Sequence, residues 1–467
     1  MAQFSKDAVV RHVQKERENL KSAEGLPFAH LLDGQRLARA LERAGVEFRK
    51  RIFDPFTTLH AFLSQAVASK DSSCEEAVSR INAERVARGE RACSRDTSSY
   101  CKARARLPEP MLAELARETG QELEPEAHES WLWKGRHVKI VDGSTAEMSD
   151  TKANQQEYPQ SRTQQPGLGF PMLRMVVLFS LATGALLDCA LGACRGKKTG
   201  EQSLFRQLWA SLQPGDIVLG DGLFDAYRDI AQLLARGVDT LFGKKSSRHC
   251  DFRRGRRLGP DDHLVTWKKP KYDATRFASP DEWEALPNQI AMREVRLVLR
   301  RRGFRTRTVI LVTTLVDSAR YSAKDLTDLF AQRWHCEIDL RALKQALGLR
   351  RLQCKTPEMV RRELWVYFLA YNLIRVRMAQ AAVVHERAPR TLSFTTAKTY
   401  IHHFATEMKT ATPALKAQLE FELLRAIAAS QVGHRSGRKE PRAVKKRQQK
   451  YSYLTKPRPK ARQGLAA

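Results

Sequence analysis

No stretch of this chain approaches the roughly 20 uninterrupted apolar residues of a membrane span. The opening "MAQFSKDAVVRHVQKEREN" also lacks the apolar segment of a secretory signal. Membrane insertion and secretion are set aside, and a cytoplasmic protein is expected. The eight cysteines, at 74, 93, 101, 189, 194, 250, 336 and 354, form no CxxC pair and no Cys/His zinc set. Reduced and mostly buried thiols are expected. Acids are scarce beside bases: 52 Asp and Glu stand against 81 Lys and Arg, a formal charge of +29 and a pI near 10.0. So large an excess points to a polyanion, and to nucleic acid rather than a membrane surface, because no basic amphipathic helix stands alone. Internal repeats are absent.

What is present divides the 467 residues into segments, enough for two or three domains. Residues 1–125 are helical in pattern, without a strand run. Ser72 or Ser73 is a natural cap before Glu75 and Glu76. Lys102, Arg104 and Arg106 cluster, which suits either a DNA-binding bundle or a helical cap with a solvated basic face. From 130 to 245 the texture changes. "RHVKIVDGS" reads as a strand and "MLRMVVLFSLATGALLDCAL" as two strands turning at Thr183-Gly184. "GEQSLFRQLWASL" is a helix, "DIVLGDGLF" a strand, "AYRDIAQLLARG" a helix and "VDTLFGK" a strand. This order predicts an α/β fold with a mixed sheet and helical crossovers. Residues 246–291 are basic and irregular. Residues 292–382 return to the core pattern, with a hairpin turning near Arg302-Gly303, and 383–467 hold further helices and a tail. Residues 433–467 carry twelve bases and one acid, with Pro441, Pro457 and Pro459. Such a tail is expected to stay disordered until it meets phosphates, which it would bind without regard to sequence.

Three carboxylates stand out. Asp142 and Asp221 each follow an apolar strand and precede a glycine. Acids at the carboxyl ends of neighbouring strands can share one ligand site, although Asp-Gly is also an ordinary turn pair. The third is Glu337, in "AQRWHCEIDLRALKQAL" (331–347). At 100° per residue, Arg333, Arg341 and Lys344 fall within about 40° of it, and Phe330 lies on the same line. The rest of this helix is largely apolar and is expected to pack into a core. A ladder of ion pairs would explain one acid and one base. Three bases to one acid leave positive charge for a phosphate, and the acid suits a divalent metal.

These residues resemble the insertion-sequence transposases of the IS-four type, members of the RNase H-like, retroviral-integrase-like superfamily. The family signature is Tyr, two residues, Arg, three, Glu, six, Lys. Here it reads Phe330, Arg333, Glu337, Lys344. "VDGS" and "LGDGLF" are similar to the family's two aspartate blocks. Asp221 follows Asp142 by 79 residues and Glu337 follows Asp221 by 116, room for the strand-rich insertion the family places there, at 246–291. The resemblance implies an RNase H-like core with Asp142, Asp221 and Glu337 as a DDE triad. It also implies two Mg²⁺ ions, replaceable by Mn²⁺, held by carboxylate oxygens for phosphodiester cleavage and strand transfer. Arg333 and Lys344 would grip phosphate, with Arg341 auxiliary. Phe330 cannot donate the hydrogen bond of a Tyr, and Gly222 stands where relatives often have Arg. Relatives that cut through a hairpin stack a flipped base on a Trp of the insertion. Trp267, beside Lys268 and Lys269, fits that role or simple sheet packing, and Trp283 competes with it.

The implied partners are double-stranded DNA, both terminal inverted repeats and target, with a homodimer in the synaptic complex and a location at the bacterial nucleoid. Two other readings stay open: a Mg²⁺-dependent nuclease of the same fold without strand transfer, and an inactive DNA-binding repressor derived from a transposase.

Overall fold

The computed structural model describes residues 32, 34–46, 48, 51–68, 73–245, 248–273, 279–299, 307–408, 411–433 and 454–463. Five helices come first: α1 (Gly34–Arg43), α2 (Pro55–Val67), α3 (Cys74–Ala87), α4 (Ser98–Arg106) and α5 (Glu109–Gln121). Two begin on side-chain caps that satisfy otherwise orphaned amides. Asp54 Oδ1 accepts from Thr57 N–H at 2.7 Å, and Ser73 Oγ accepts from Glu76 N–H at 3.1 Å. Arg104 departs from the expected basic face. Its guanidinium lies over Phe62 at 4.8 Å and Tyr100 at 5.2 Å, leaving Lys102 and Arg106 exposed.

The expected alternation follows, as β1 (Val138–Met148), α6 (Lys152–Glu157), β2 (Met172–Ser180), β3 (Leu186–Ala193), α7 (Glu201–Gln207), β4 (Ile217–Gly220), α8 (Tyr227–Ala235) and β5 (Asp239–Gly243). Gly184 takes φ +78° in the β2–β3 turn, a conformation that a Cβ disfavours. Then come β6 (Arg256–Gly259), β7 (Asp262–Lys268), α9 (Pro280–Glu284), β8 (Gln289–Leu299) and β9 (Arg307–Thr313). The strands form one mixed sheet in the order β3-β2-β1-β4-β5-β9-β8-β7-β6. β1, β4 and β5 run parallel, and the other pairs along this path are antiparallel. The strands expected in 246–291 therefore build no separate sheet. They extend the core sheet outward through β8 and β9, and β9 joins β5 by the pairs Leu241↔Thr313, Phe242↔Val312 and Gly243↔Leu311. The turn expected near Arg302-Gly303 lies outside the described residues, as does most of the basic tail.

The chain closes with α10 (Ala323–Ala331), α11 (Trp334–Arg341), β10 (Arg351–Leu352, on β1), α12 (Pro357–Val384), α13 (Phe394–Met408), α14 (Pro413–Ala429) and α15 (Arg458–Gln463). Strand alternation sends successive side chains to opposite faces. Ile140 and Leu219 join the layer with α12, while Val141 and Val218 join the layer with Leu204 and Phe205 of α7. Burying each such Leu, Ile or Phe contributes about 1.5–3 kcal/mol. The long helix α12 packs against α5 and β3. Asn372 on α12 joins all three, donating to Ala116 O and Leu186 O at 2.7 Å and accepting from Leu186 N–H at 2.8 Å. The last N-terminal helix thus belongs to the packing of the sheet, although the secondary structure changes near residue 130. Among the described residues no helix is long and apolar enough to cross a membrane, and all eight cysteines are free thiols.

Candidate active site

The parallel β1–β4 ladder pairs Val138 with Ile217 and Ile140 with Leu219. Asp142 lies two residues past the last β1–β4 pair and shares the parity of Ile140, which faces the α12 layer; Asp221 follows the last residue of β4, close enough for the two carboxylates to interact. Asp142 is not a strand end, as expected from its Gly-Ser neighbours. β1 continues to Met148 because β2 and β10 keep pairing with it after β4 has stopped at Gly220. It stands instead just past the end of the β1–β4 ladder, where one strand outruns the other.

Helix α11 packs against β1 there and brings the third acid. Arg333, just before α11, lies between two carboxylates: its Nη1 is 3.8 Å from Asp142 Oδ2 and its Nη2 is 3.5 Å from Glu337 Oε1. Burial pushes the Asp142 carboxyl up to about 6. The Gly143 amide, which donates to Oδ1 at 2.8 Å, and Arg333 pull it down; Asp221 and Glu201 push it up. Burial lowers the ammonium of half-buried Lys344, Arg350 lowers it further and Asp142 raises it, so Lys344 belongs to the same charge cluster. Arg341 is exposed. Phe330 reaches β5, where a Cβ on Gly243 would meet its Cζ at 3.3 Å. A Cβ on Gly222 would lie 3.0 Å from Gly243 O and 3.2 Å from Lys244 O, so this glycine permits close strand-end packing.

The expectation of one largely buried α-helix over 331–347 is corrected. The segment breaks at Gln332–Arg333, continues as α11, and widens into a π-helical turn over Ala342–Ala346. A π turn carries more residues than an α turn, so Lys344 is not set by the 100° spacing used for the strip. Nor is the other face all core: Trp334 is 51% exposed and Ile338 37%. What fastens α11 is a buried acid. Asp339 accepts from Arg375 Nη2 at 2.5 Å and from Arg390 Nη1 at 2.7 and 2.8 Å.

The insertion places its aromatics inward. Trp267 is 8% exposed, donates from Nε1 to Glu294 Oε1 at 3.1 Å, and carries the Arg248 guanidinium on its ring at 3.7 Å. This ring is sheet packing here, and stacking a flipped base would first require Arg248 to leave it. The other Glu294 oxygen accepts from the Cys250 thiol at 2.6 Å and lies 3.0 Å from His263 Nε2. Among the described residues this trio is the one Cys/His/Asp/Glu cluster whose ligand atoms lie within 4.8 Å of one another. The acids near Arg333 are spread more widely. Lys268 is exposed, whereas Lys269 donates to the carbonyls of Trp283, Glu284 and Leu286 at 2.8–3.3 Å. Its ammonium holds the end of α9 to β7.

Two residues escaped sequence reasoning. Asp339 had a signal, an acid about 200° around from Glu337 on an otherwise apolar face. Glu201 had none: an acid in a first helical turn is ordinary, and only folding brings it over Gly143.

The donor set at Asp142, Asp221 and Glu337 is all oxygen, which suits a hard divalent cation. Burial, with a smaller push from Asp221 and Glu201, disfavours the charged form of Asp142, and a bound cation would favour it. Residues 133–373 match the family described as "Transposase DDE domain". The chain is 28% identical over 368 residues to the transposase InsG for insertion sequence element IS4 of Escherichia coli (strain K12), spanning 76% of this chain and 77% of that protein. Among solved structures, a piggyBac transposase synaptic complex with hairpin DNA aligns at TM-score 0.45 and 10% identity, over 87% of this chain and 85% of that one.

Proposed function

This chain belongs to the transposase DDE-domain family, and we propose that it carries out DNA transposition with Asp142, Asp221 and Glu337 as the catalytic triad. These three would hold two Mg²⁺ ions, Mn²⁺ substituting. The ions, when bound, activate the attacking water or 3′-hydroxyl and stabilise the leaving oxygen of the phosphodiester. The chain's own residues do the rest. Asp142 is largely buried, which strengthens the charge interactions it makes. Arg333, already between Asp142 and Glu337, presents a planar fork to a non-bridging phosphate oxygen pair. Lys344 adds a point charge. The exposed bases and the tail supply sequence-independent grip on the duplex.

The proposed substrates are the element's terminal inverted repeats and a target duplex, brought together by two copies of the chain, each acting on one end. The helical segment before residue 125 and the insertion at 246–291 are proposed to bind DNA on either side of the cut. One observation supports this reading above the others: Asp142 on β1, interacting with Asp221 just past the end of the adjacent parallel strand, shares the Arg333 guanidinium with Glu337.

The test is an end-cleavage and strand-transfer assay with Mg²⁺, linear DNA bearing the inverted repeats and a supercoiled target. Nicked ends joined to the target are expected. Hydrolysis without joining would favour the nuclease reading, and binding without nicking the repressor.

A further inference from the structure

We propose that Cys250, His263 and Glu294 form a metal site of their own, in the outer strands of the sheet, for a thiophilic divalent cation such as Zn²⁺. His263 on β7 and Glu294 on β8 are paired directly across the antiparallel ladder, so their side chains rise on one face. Both are buried, at 1% and 4% exposure. Cys250 reaches that face from the segment before β6. Its Sγ lies 2.6 Å from Glu294 Oε2 and 3.9 Å from His263 Nε2, and Nε2 lies 3.0 Å from the same oxygen. Sulfur, nitrogen and oxygen thus converge on one point, from which zinc bonds of roughly 2.0–2.3 Å reach all three. No zinc motif announces this in the sequence, because strand pairing supplies the distant glutamate.

The surroundings hold each ligand in place. His263 Nδ1 lies 2.8 Å from Arg254 O. A carbonyl only accepts, so Nδ1 carries the ring hydrogen, and in the neutral imidazole Nε2 turns its lone pair toward Cys250 and Glu294. A metal ligand needs that tautomer, and a backbone carbonyl is a usual outer partner for fixing it. Glu294 is held likewise, its other oxygen accepting from Trp267 Nε1 at 3.1 Å. Phe252 stacks on the imidazole, with ring centroids 4.4 Å apart and an interplanar angle of 24°. A buried lone pair facing a carboxylate oxygen is an unfavourable contact that a cation between them relieves.

The donor set chooses the ion. A thiolate, an imidazole and a carboxylate suit zinc, whereas Mg²⁺ prefers oxygen alone. With three ligands among the described residues, water completes the tetrahedron. The site stands on β7 and β8 rather than β1, and it does not depend on the triad reading. Binding releases the thiol proton to solvent and ties the segment around Cys250 to both strands. Two residues earlier on that segment is Arg248, whose guanidinium covers the Trp267 ring.

The test titrates the full chain, freed of metal, with Co²⁺ and then Zn²⁺ in excess Mg²⁺. Co²⁺ should give a thiolate charge-transfer absorption that Zn²⁺ abolishes. Cys250→Ser should lose this band, and its Zn²⁺ affinity should fall by at least about tenfold. Asp221→Asn should keep both, which separates this site from the triad. In the unaltered chain, Zn²⁺ should protect Cys250 from alkylation, read by peptide mapping, so the outcome does not hang on a variant that folds poorly. A parent without the band, a Cys250→Ser chain that retains it, or a Cys250 alkylated equally with and without Zn²⁺ would overturn the proposal and leave the trio a hydrogen-bonded cluster. A band lost in Asp221→Asn would put the ion at the triad and overturn it too.

Discussion

Arg333 joins Asp142 to Glu337, 3.8 Å from one and 3.5 Å from the other, across 195 positions of sequence. Burial is the main reason the Asp142 carboxyl is raised, Asp221 and Glu201 add to it, and Arg333 holds it down. Arg333→Ala should therefore push Asp142 above its value of about 6. In a Mn²⁺ titration repeated across pH, the pH of half-maximal binding is expected to rise. An unmoved midpoint would remove Arg333 from the charge balance.

Glu337→Gln keeps the size of the side chain and removes its charge. End-DNA affinity should stay near that of the parent while nicking falls by on the order of a thousandfold or more, several kcal/mol of lost transition-state stabilisation. Mg²⁺-dependent cleavage at the parent rate would remove Glu337 from the chemistry.

The pH dependence has a definite sign. An ordinary Asp titrates near 3.8, and Asp142 in the fold near 6. Between those values the folded chain holds a proton that the unfolded chain has released, so Asp142 costs stability as pH rises through that window. Mg²⁺ reverses the cost only where the carboxyl is ionised. Melting curves should show a larger Mg²⁺-induced stabilisation at pH 7.5 than at pH 5. An equal effect at both would place the ion elsewhere.

Lys344 is half-buried within the site's charge cluster. If it grips phosphate, Lys344→Met should weaken binding across DNA sequences. The slope of log affinity against log salt should become shallower by about one. Loss of cleavage with an unchanged slope would give Lys344 a role other than phosphate contact.

Asp339 is fully buried between Arg375 and Arg390. Asp339→Ala strands two guanidinium groups and should cost about 3–5 kcal/mol, the price of a broken buried pair. Chemical denaturation measures this directly. A change below about 1 kcal/mol, the range of surface pairs, would mean that water reaches them.

The alternation of β1 to β5 with α7 and α8 was legible in the sequence because strand and helix periods differ and each element carries its own turn residues. The approach of Asp142 to Asp221 was readable only as a possibility; its realisation depends on the β1–β4 register, a long-range fact. The 331–347 segment read as one helix because composition is blind to a break at Gln332–Arg333 and to a π turn. For Trp267 the sequence left base stacking and sheet packing open, because flanking lysines suggest exposure while the partner of its indole N–H, Glu294, lies 27 residues away on the next strand. Glu201 was silent, since a first-turn acid says nothing about what crosses above it.

The outer hairpin hangs on β5 through three residue pairs of a continuous sheet. Adjacent strands of a sheet rotate by roughly 20–25° on average, and β4 and β1 stand five and six steps from β6. The strands beside the aspartates and the strand bearing Arg256 and Arg257 therefore run in very different directions within one sheet.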